Sequence, residues 1–567
     1  MSLKKNLMRL KGARGATLVE YAMLLTLMAA IALVSMLNFG AVTVALFEDT
    51  ANRLAFAQEA IEGTERETIA PMIVNLDTSN SSSDKVAGFV FDSTTGLVDI
   101  EVDWGDGSEP VVVFSGGPVF HEYSRNGSYT VQIRGRFDSL TLSGLPSEVP
   151  EKFTEFLTWG DVKPVVLDGA FERTTNLNRL PNSLPNTVNS MKGILFASNY
   201  NSAEIGLWNV SRVTDFSLAF SGASRFNQDL SLWNTGSATN MNSMFRGASA
   251  FNRDIGSWNV GRVNDFSRMF QSTNFNQDIG GWSTGSASDL SSMFRSNGSF
   301  NQDLSAWNVS VVRDMSQMFR DASGFNGNIS SWDVSAVSDF SQMFDGASSF
   351  NSDISAWTVA SASDMSNMFR DASSFNSDLT GWQTGNVTDM SGMFAQTTFN
   401  GDIEGWNVSS VRDFSEMFQT NAAFSGSLLG WSVTAATDMT SMFEGASSFN
   451  GNISGWDVAG VLDMDYMFSG ASTFNQNLSG WETGSVQRFD YMFENATAFN
   501  SNLWGWDVTS ARPHPRFAGM FLNASSFNSD LSCWDVSDQP NTPTQFSSGS
   551  GIVSGPNWGS APSAGCS

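Results

Sequence analysis

The sequence predicts an α/β repeat solenoid, with a short strand plus a short helix per 25 residues, preceded by a small β-sandwich and an N-terminal membrane α-helix. Three observations predict it. Tryptophan recurs at a nearly fixed interval from Trp208 to Trp534. Short alternating segments separated by Gly, Ser and Asn turns run from about Pro71 to Gly144. An almost unbroken apolar run extends from Ala16 to about Phe47.

At 567 residues the chain exceeds what one hydrophobic core supports, so several domains or a repeat array are expected. It carries 57 acidic and 30 basic residues, and five of the basic ones (Lys4, Lys5, Arg9, Lys11, Arg14) lie in the first 15 residues. An acidic surface of this kind argues against nucleic acid as a partner.

Residues 1–15 are short and basic and read as a leader. Residues 16–47 are longer than the ~20 apolar residues that a bilayer requires, and a helix is expected over 16–60. Glu20 is the anomaly, because a carboxylate inside an apolar span is costly and points to function. The stretch Gly15-Ala16-Thr17-Leu18-Val19-Glu20-Tyr21 resembles the processing site of Flp-type (tight-adherence) pilins. The resemblance implies cleavage between Gly15 and Ala16 by a prepilin peptidase. It also implies that Glu20 pairs with the new α-amine of a neighbouring subunit, with self-association through the helix. A plain signal anchor that tolerates a glutamate is the alternative. Residues 48–70 continue the helix and then become a polar linker.

Over 71–144 the alternation of apolar and polar residues predicts short strands. Val102-Asp103-Trp104-Gly105-Asp106-Gly107, followed by His121-Glu122-Tyr123 and Gly127-Ser128-Tyr129-Thr130-Val131, resembles a PKD-type sandwich. The resemblance makes His121 a sandwich residue, not a catalyst, and the domain a spacer or protein-contact module.

The tryptophans stand at 208, 233, 258, 282, 307, 332, 357, 382, 406, 431, 456, 481, 506 and 534. A fixed period of this size means stacked units, none of which buries its apolar face alone. In the unit from Trp307 to Trp332, Val312, Met315, Met318, Phe319 and Ala322 recur mostly every three residues, the spacing of one face of a short helix. Asp314 then falls in that helix's first turn, where a negative charge suits the dipole. Asp215, Asp265, Asp289, Asp339, Asp364, Asp389, Asp413, Asp438 and Asp463 hold the same place. The segment Phe300–Trp307 reads as extended, and its stacked copies predict a parallel sheet. Asn after the Phe in nearly every unit predicts an asparagine ladder, and the Phe and Trp columns predict a stacked core.

Four residues before each tryptophan stands another acidic column, which begins Asp229, Asp254, Asp278 and Asp303. Carboxylates stacked on neighbouring strands repel unless they are solvated, protonated or bridged by a cation. Calcium is the hard-oxygen candidate, and these four are the candidate metal ligands. The alternative is a solvated face or turn bonding to the backbone. No other cofactor is expected.

Val387-Thr388-Asp389-Met390-Ser391-Gly392-Met393-Phe394 and Ser374-Phe375-Asn376-Ser377-Asp378-Leu379, with Trp382, resemble the 25–26-residue repeat of BspA-like bacterial surface proteins. The resemblance implies a leucine-rich-repeat-like solenoid and a role in binding host or neighbouring-cell proteins. The array is placed at 206–540, with degenerate cap repeats over 145–205 and an irregular Ser/Gly/Pro-rich tail over 541–567. The two cysteines, Cys533 and Cys566, suit a disulfide closing the last turn in an oxidising exterior, with two free thiols as the alternative.

Function then reads as cell-surface structure and adhesion, inserted in the inner membrane before assembly and afterwards extracellular. Catalysis is not expected. A carboxylate pair that hydrolyses glycosides should break the repeat in one place, whereas these acids recur turn after turn. The one clear insertion, Arg512-Pro513-His514-Pro515, offers Arg512, His514 and the adjoining Arg516 but no nucleophile.

Overall fold

A computed structural model of the chain describes residues 69–80, 85–93, 98–511 and 516–562. The leader at 1–15, the helix expected over 16–60 with its span at 16–47, and Gly15, Ala16 and Glu20 all lie outside the described residues, as do His514 and Cys566. Among the described residues no helix is long and apolar enough to cross a membrane.

From Pro71 to Ser567 the chain is one compact unit. It opens with eight strands: β1 Met72–Asp77, β2 Val86–Asp92, β3 Asp99–Asp103, β4 Val111–Val113, β5 Gly117–Glu122, β6 Ser128–Arg136, β7 Ser139–Thr141 and β8 Phe153–Thr158. They form a five-stranded sheet in the order β4-β3-β6-β1-β8 and a three-stranded sheet in the order β5-β2-β7. Alternation sets the inner faces. Met72, Val74 and Leu76 of β1 and Val131 and Ile133 of β6 are buried, opposite Phe89 and Phe91 of β2 and Leu140 of β7. The sandwich takes its last strand, β8, from beyond residue 144.

Both sheets run on into the array. Ser139 of β7 makes a parallel bridge to Val166, and Glu155 of β8 makes one to Arg179. The Phe156 N–H donates to the Arg179 carbonyl at 3.0 Å, and the Val166 N–H to Asp138 at 2.9 Å. One hydrophobic core therefore continues from Met72 to Phe546. The sandwich is the cap of the array, covering the apolar end that a stack of repeats would otherwise expose.

The repeat corrects the expected fold class: among the described residues there is no α-helix, so the array is not an α/β solenoid. Where the helix was expected, consecutive tight turns occur. Met318 N–H donates to the Met315 carbonyl, Arg320 to Gln317, and Ala322 to Phe319, at 3.0–3.1 Å. The alternate N–H groups point along the array instead. Met315, Gln317, Phe319 and Asp321 donate to Asp339, Ser341, Met343 and Asp345 of the next coil at 2.6–3.0 Å. This alternation requires left-handed residues, and Gln317 and Asp321 have φ of 57°. No α-helix admits such residues in its interior. The three-residue apolar spacing is that of the turns, which a short sequence window does not separate from a helix.

The extended segment is corrected as well. Phe300–Trp307 contains no strand; the parallel pairing falls on the Asp column instead, one residue per coil, from Asp215 through Asn240 and Asp265 to Asp463 and Arg488. Asp314 is thus a bridge residue, not a helix start. Its Oδ1 accepts from the Ser316 N–H at 2.8 Å, an Asx turn that opens the run of tight turns.

Behind these turns the aromatic columns pack. Trp307 stacks on Trp332 at 6.4 Å and Trp332 on Trp357 at 6.2 Å. Within a coil Phe319 stacks on Phe325 at 3.8 Å. Each indole N–H is satisfied by the preceding coil, as Trp332 Nε1 donates to the Leu304 carbonyl at 2.9 Å. The tail expected to be irregular supplies a closing coil. Phe521 N–H donates to the Phe546 carbonyl at 2.8 Å, and Phe546 and Trp558 turn edge-on to end the stack.

Candidate functional site

Among the described residues the array's candidate residues lie in columns, one per coil. The asparagine column forms a ladder. Asn326 N–H donates to Asn301 Oδ1 and Asn351 N–H to Asn326 Oδ1, both at 2.8 Å. The side-chain carbonyl thus bonds the backbone of the next coil. At Ser425 the ladder loses a rung: Ser425 N–H reaches Asn400 Oδ1 at 2.9 Å, but serine has no amide to hand on to Asn450.

Asp229, Asp254, Asp278 and Asp303 are exposed. Each Oδ1 accepts from the backbone N–H two residues on, at Ser231, Gly256, Gly280 and Ser305, over 2.8–2.9 Å. The Ser231 and Ser305 backbone and hydroxyl donors hold Asp229 and Asp303 below the usual carboxylate range. Geometry therefore gives this column a turn-forming part. Among the described residues no group of three or more His, Cys, Asp or Glu is placed to hold a metal ion.

The bridge column is half-buried, and burial raises Asp289 and Asp389 against the hydrogen bonds from Ser291 and Ser391, with the neighbouring aspartates adding to the rise. It ends at Arg488, whose Nε lies 3.2 Å from Asp463 Oδ2 and 2.5 Å from Asp465 Oδ2. Burial, and then the Asp463 charge, push Asp465 up to about 6. Sequence reasoning did not single out Asp465 or Arg488. The signal was available, because Arg488 is where an aspartate column changes sign. Tyr466 and Tyr491, next to this cluster, stack at 5.0 Å.

His121 lies in β5, with Nε2 2.8 Å from Asp106 Oδ2 and its ring stacked on Trp104 at 5.1 Å. Arg516, beyond the insertion, is far along the chain from it. Cys533 is disulfide-bonded; the only other cysteine in the sequence is Cys566.

A concavity of about 450 Å³ lies near the end of the array, against Gly480, Glu482, Gly505 and Asp507. A second, about 260 Å³, adjoins it against Gly455, Asp457 and Gly480.

A family model described as a Mycoplasma protein of unknown function, DUF285, matches the chain over residues 189–303, 264–382, 325–431, 365–480 and 452–554. No curated protein matches it. The matched windows overlap one another and run over the same coils that share the bridge column and the Trp stack. With more than half of its length so matched, the chain is a repeat protein of the DUF285 family.

Proposed function

We propose that this protein is a cell-surface interaction protein whose array presents a long outer face for adhesion to another protein or cell. The carrying observation is the division of labour within each coil. The apolar residues are consumed by one continuous core, while the exposed columns vary from coil to coil in charge and size, as a recognition surface must. An enzyme would need a constellation that breaks the repeat; the acids recur with it instead.

The amino-terminal motif supports a second part of the reading, export with processing between Gly15 and Ala16 by a prepilin peptidase, Glu20 answering the new α-amine. The disulfide at Cys533 suits an oxidising exterior. The experiment is a strain that displays the protein with residues 206–540 deleted: adherence to partner cells should be lost. Normal adherence of the deletion strain overturns the adhesion reading. Gly15→Val should raise the mass of the mature protein and abolish display; an unchanged mature mass refutes the processing step.

A further inference from the structure

Two coils of the array are one residue short. Trp282 follows Trp258, and Trp406 follows Trp382, after 24 residues instead of 25. The lost residue lies just before the phenylalanine that precedes the asparagine ladder. A full coil reads Ala322-Ser323-Gly324-Phe325, whereas the short ones read Thr273-Asn274-Phe275 and Thr397-Thr398-Phe399.

The shortening removes a backbone bond. In the full coil the Phe325 N–H donates to the Ala322 carbonyl at 3.0 Å. In the short coils the Phe275 and Phe399 N–H groups turn to the Thr273 and Thr397 hydroxyls, at 3.4 and 3.3 Å. Each hydroxyl in turn donates to a carbonyl three residues back, Phe270 or Phe394, at 2.8 Å.

The next coil completes the repair. Where full coils carry an alanine such as Ala248, Ala322 or Ala347, the coils after the short ones carry Asn297 and Asn421. Asn297 Nδ2 donates to Thr273 Oγ1 at 3.2 Å and to the Phe275 carbonyl at 2.9 Å, while its Oδ1 accepts from the Ser299 and Phe300 N–H groups at 3.2 Å. Asn421 does the same with Thr397 and Phe399 at 3.1 and 3.0 Å, and with Ala423 and Phe424 at 3.1 Å. Both donors and both acceptor sites of each amide are therefore used. All four side chains are buried in the core, the asparagines completely.

The apolar columns cannot tell one coil from another. Phe275, Phe300 and Phe325 stack in one line at 6.1–6.4 Å, and any coil brings the same ring to the same place. Repeat chains misassemble for this reason during folding. The polar pair does discriminate. A coil with alanine at this place, set on a short coil, would leave the Phe275 carbonyl buried without a donor. A coil with asparagine, set on a full one, would bury an amide that meets no threonine hydroxyl.

We propose that Thr273–Asn297 and Thr397–Asn421 are register pins, each of which selects the coil that stacks on a short coil and so fixes the order of the array as it folds. Buried polar pairs elsewhere set register by the same physics. Nearer the sandwich a third pair spans two coils with hydroxyls alone: Thr174 Oγ1 lies 2.8 Å from Ser198 Oγ, which donates to the Thr174 carbonyl at 3.0 Å.

The test uses the full-length protein, with urea denaturation and refolding followed by tryptophan emission. Asn297→Ala should lower the folding equilibrium constant by roughly tenfold or more, because buried backbone groups lose their partners. Combined with Thr273→Val, the double variant should fall short of the summed losses by roughly threefold or more. Inserting one residue after Asn274 together with Thr273→Ala restores a full coil, and Asn297→Ala should then have little effect. Register has its own readout, the native fraction recovered on dilution from urea. Asn297→Ala/Asn421→Ala should recover less than Met318→Ala/Met368→Ala, which empties buried space in two full coils. Additive losses, or an Asn297→Ala effect that the insertion leaves unchanged, overturn the pairing. Recovery by the asparagine variant equal to or above that of the methionine variant overturns the part in register.

Discussion

From Trp208 to Arg370 the outer surface is tied together by arginines, whereas from Asp371 to Trp534 glycine precedes the column tryptophans Trp382 to Trp506 and the surface is left acidic. In the first stretch Arg295 Nη1 donates to Gln317 Oε1 at 2.8 Å, and Arg320 Nη1 to Gln342 Oε1 at 2.9 Å. Arg320 Nε also lies 3.1 Å from Asp345 Oδ2. In the second, basic residues are sparse and Arg488 closes the acid column alone. Beneath both, the Trp and Phe columns and the left-handed positions repeat without change. The comparison teaches that the coil's core and its outer columns vary independently. A repeat can then change its outer surface coil by coil at a fixed fold.

The largest effect should test the shared part. Trp332→Ala and Trp456→Ala, one in each stretch, should each lower stability by about 3–5 kcal/mol in urea denaturation. Both empty a buried slot and orphan the carbonyl that accepts the indole N–H. A cost confined to one stretch would break the claim of a uniform core.

Next comes the pH dependence. Burial pushes Asp345 up to about 6, and burial together with the Asp463 charge does the same for Asp465, against an ordinary 3.8. A raised folded-state pKa means that the native form holds its proton over that interval and the unfolded chain does not. The stabilisation is therefore complete below 3.8 and lost as pH rises through about 6. The denaturation midpoint should fall across this window. Asp345→Asn should flatten the contribution of the first stretch and leave that of the second.

A smaller effect concerns the ladder. Asn326→Ala removes the acceptor of the Asn351 N–H and should cost about 1 kcal/mol, whereas Ser425→Asn restores the missing rung and should gain a fraction of that. The smallest expected effect is that of calcium removal. Each of Asp229, Asp254, Asp278 and Asp303 is engaged in its own turn, so a chelator should leave the melting temperature unchanged. A drop would return the column to metal binding.

Much of this architecture was legible in the sequence. The tryptophan interval marked the array, and the constant phase of Phe and Trp marked its core. The helix was misread because Val312, Met315, Phe319 and Ala322 follow a spacing that tandem turns and helices share. The contrary signal was present in the column Gly222, Gly247, Gly346, Gly445 and Gly470. Each has φ of 70–72°, and Asp321, Asp371, Gln396 and Asn495 stand in the same place in other coils. Residues that tolerate left-handed backbone, recurring inside an apolar period, exclude a helix. The union of sandwich and array was not legible, because Ser139 and Glu155, which make the bridges, carry no pattern. The closing coil was hidden because Phe546 and Trp558 lie in a stretch whose composition reads as irregular.

The most direct test compares two glycines ten residues apart in the same coil region, Gly470→Ala and Gly480→Ala, by urea denaturation. Gly470 has φ of 72°, so alanine there should destabilise by about 1 kcal/mol. At Gly480 no left-handed angle and no close neighbour opposes a side chain, so alanine should stabilise by about 0.4–1 kcal/mol. Opposite signs would separate the glycine that the coil requires from one that it does not. Stabilisation by Gly470→Ala would contradict the tandem-turn coil, and destabilisation by Gly480→Ala would contradict a coil that accepts a side chain at that place.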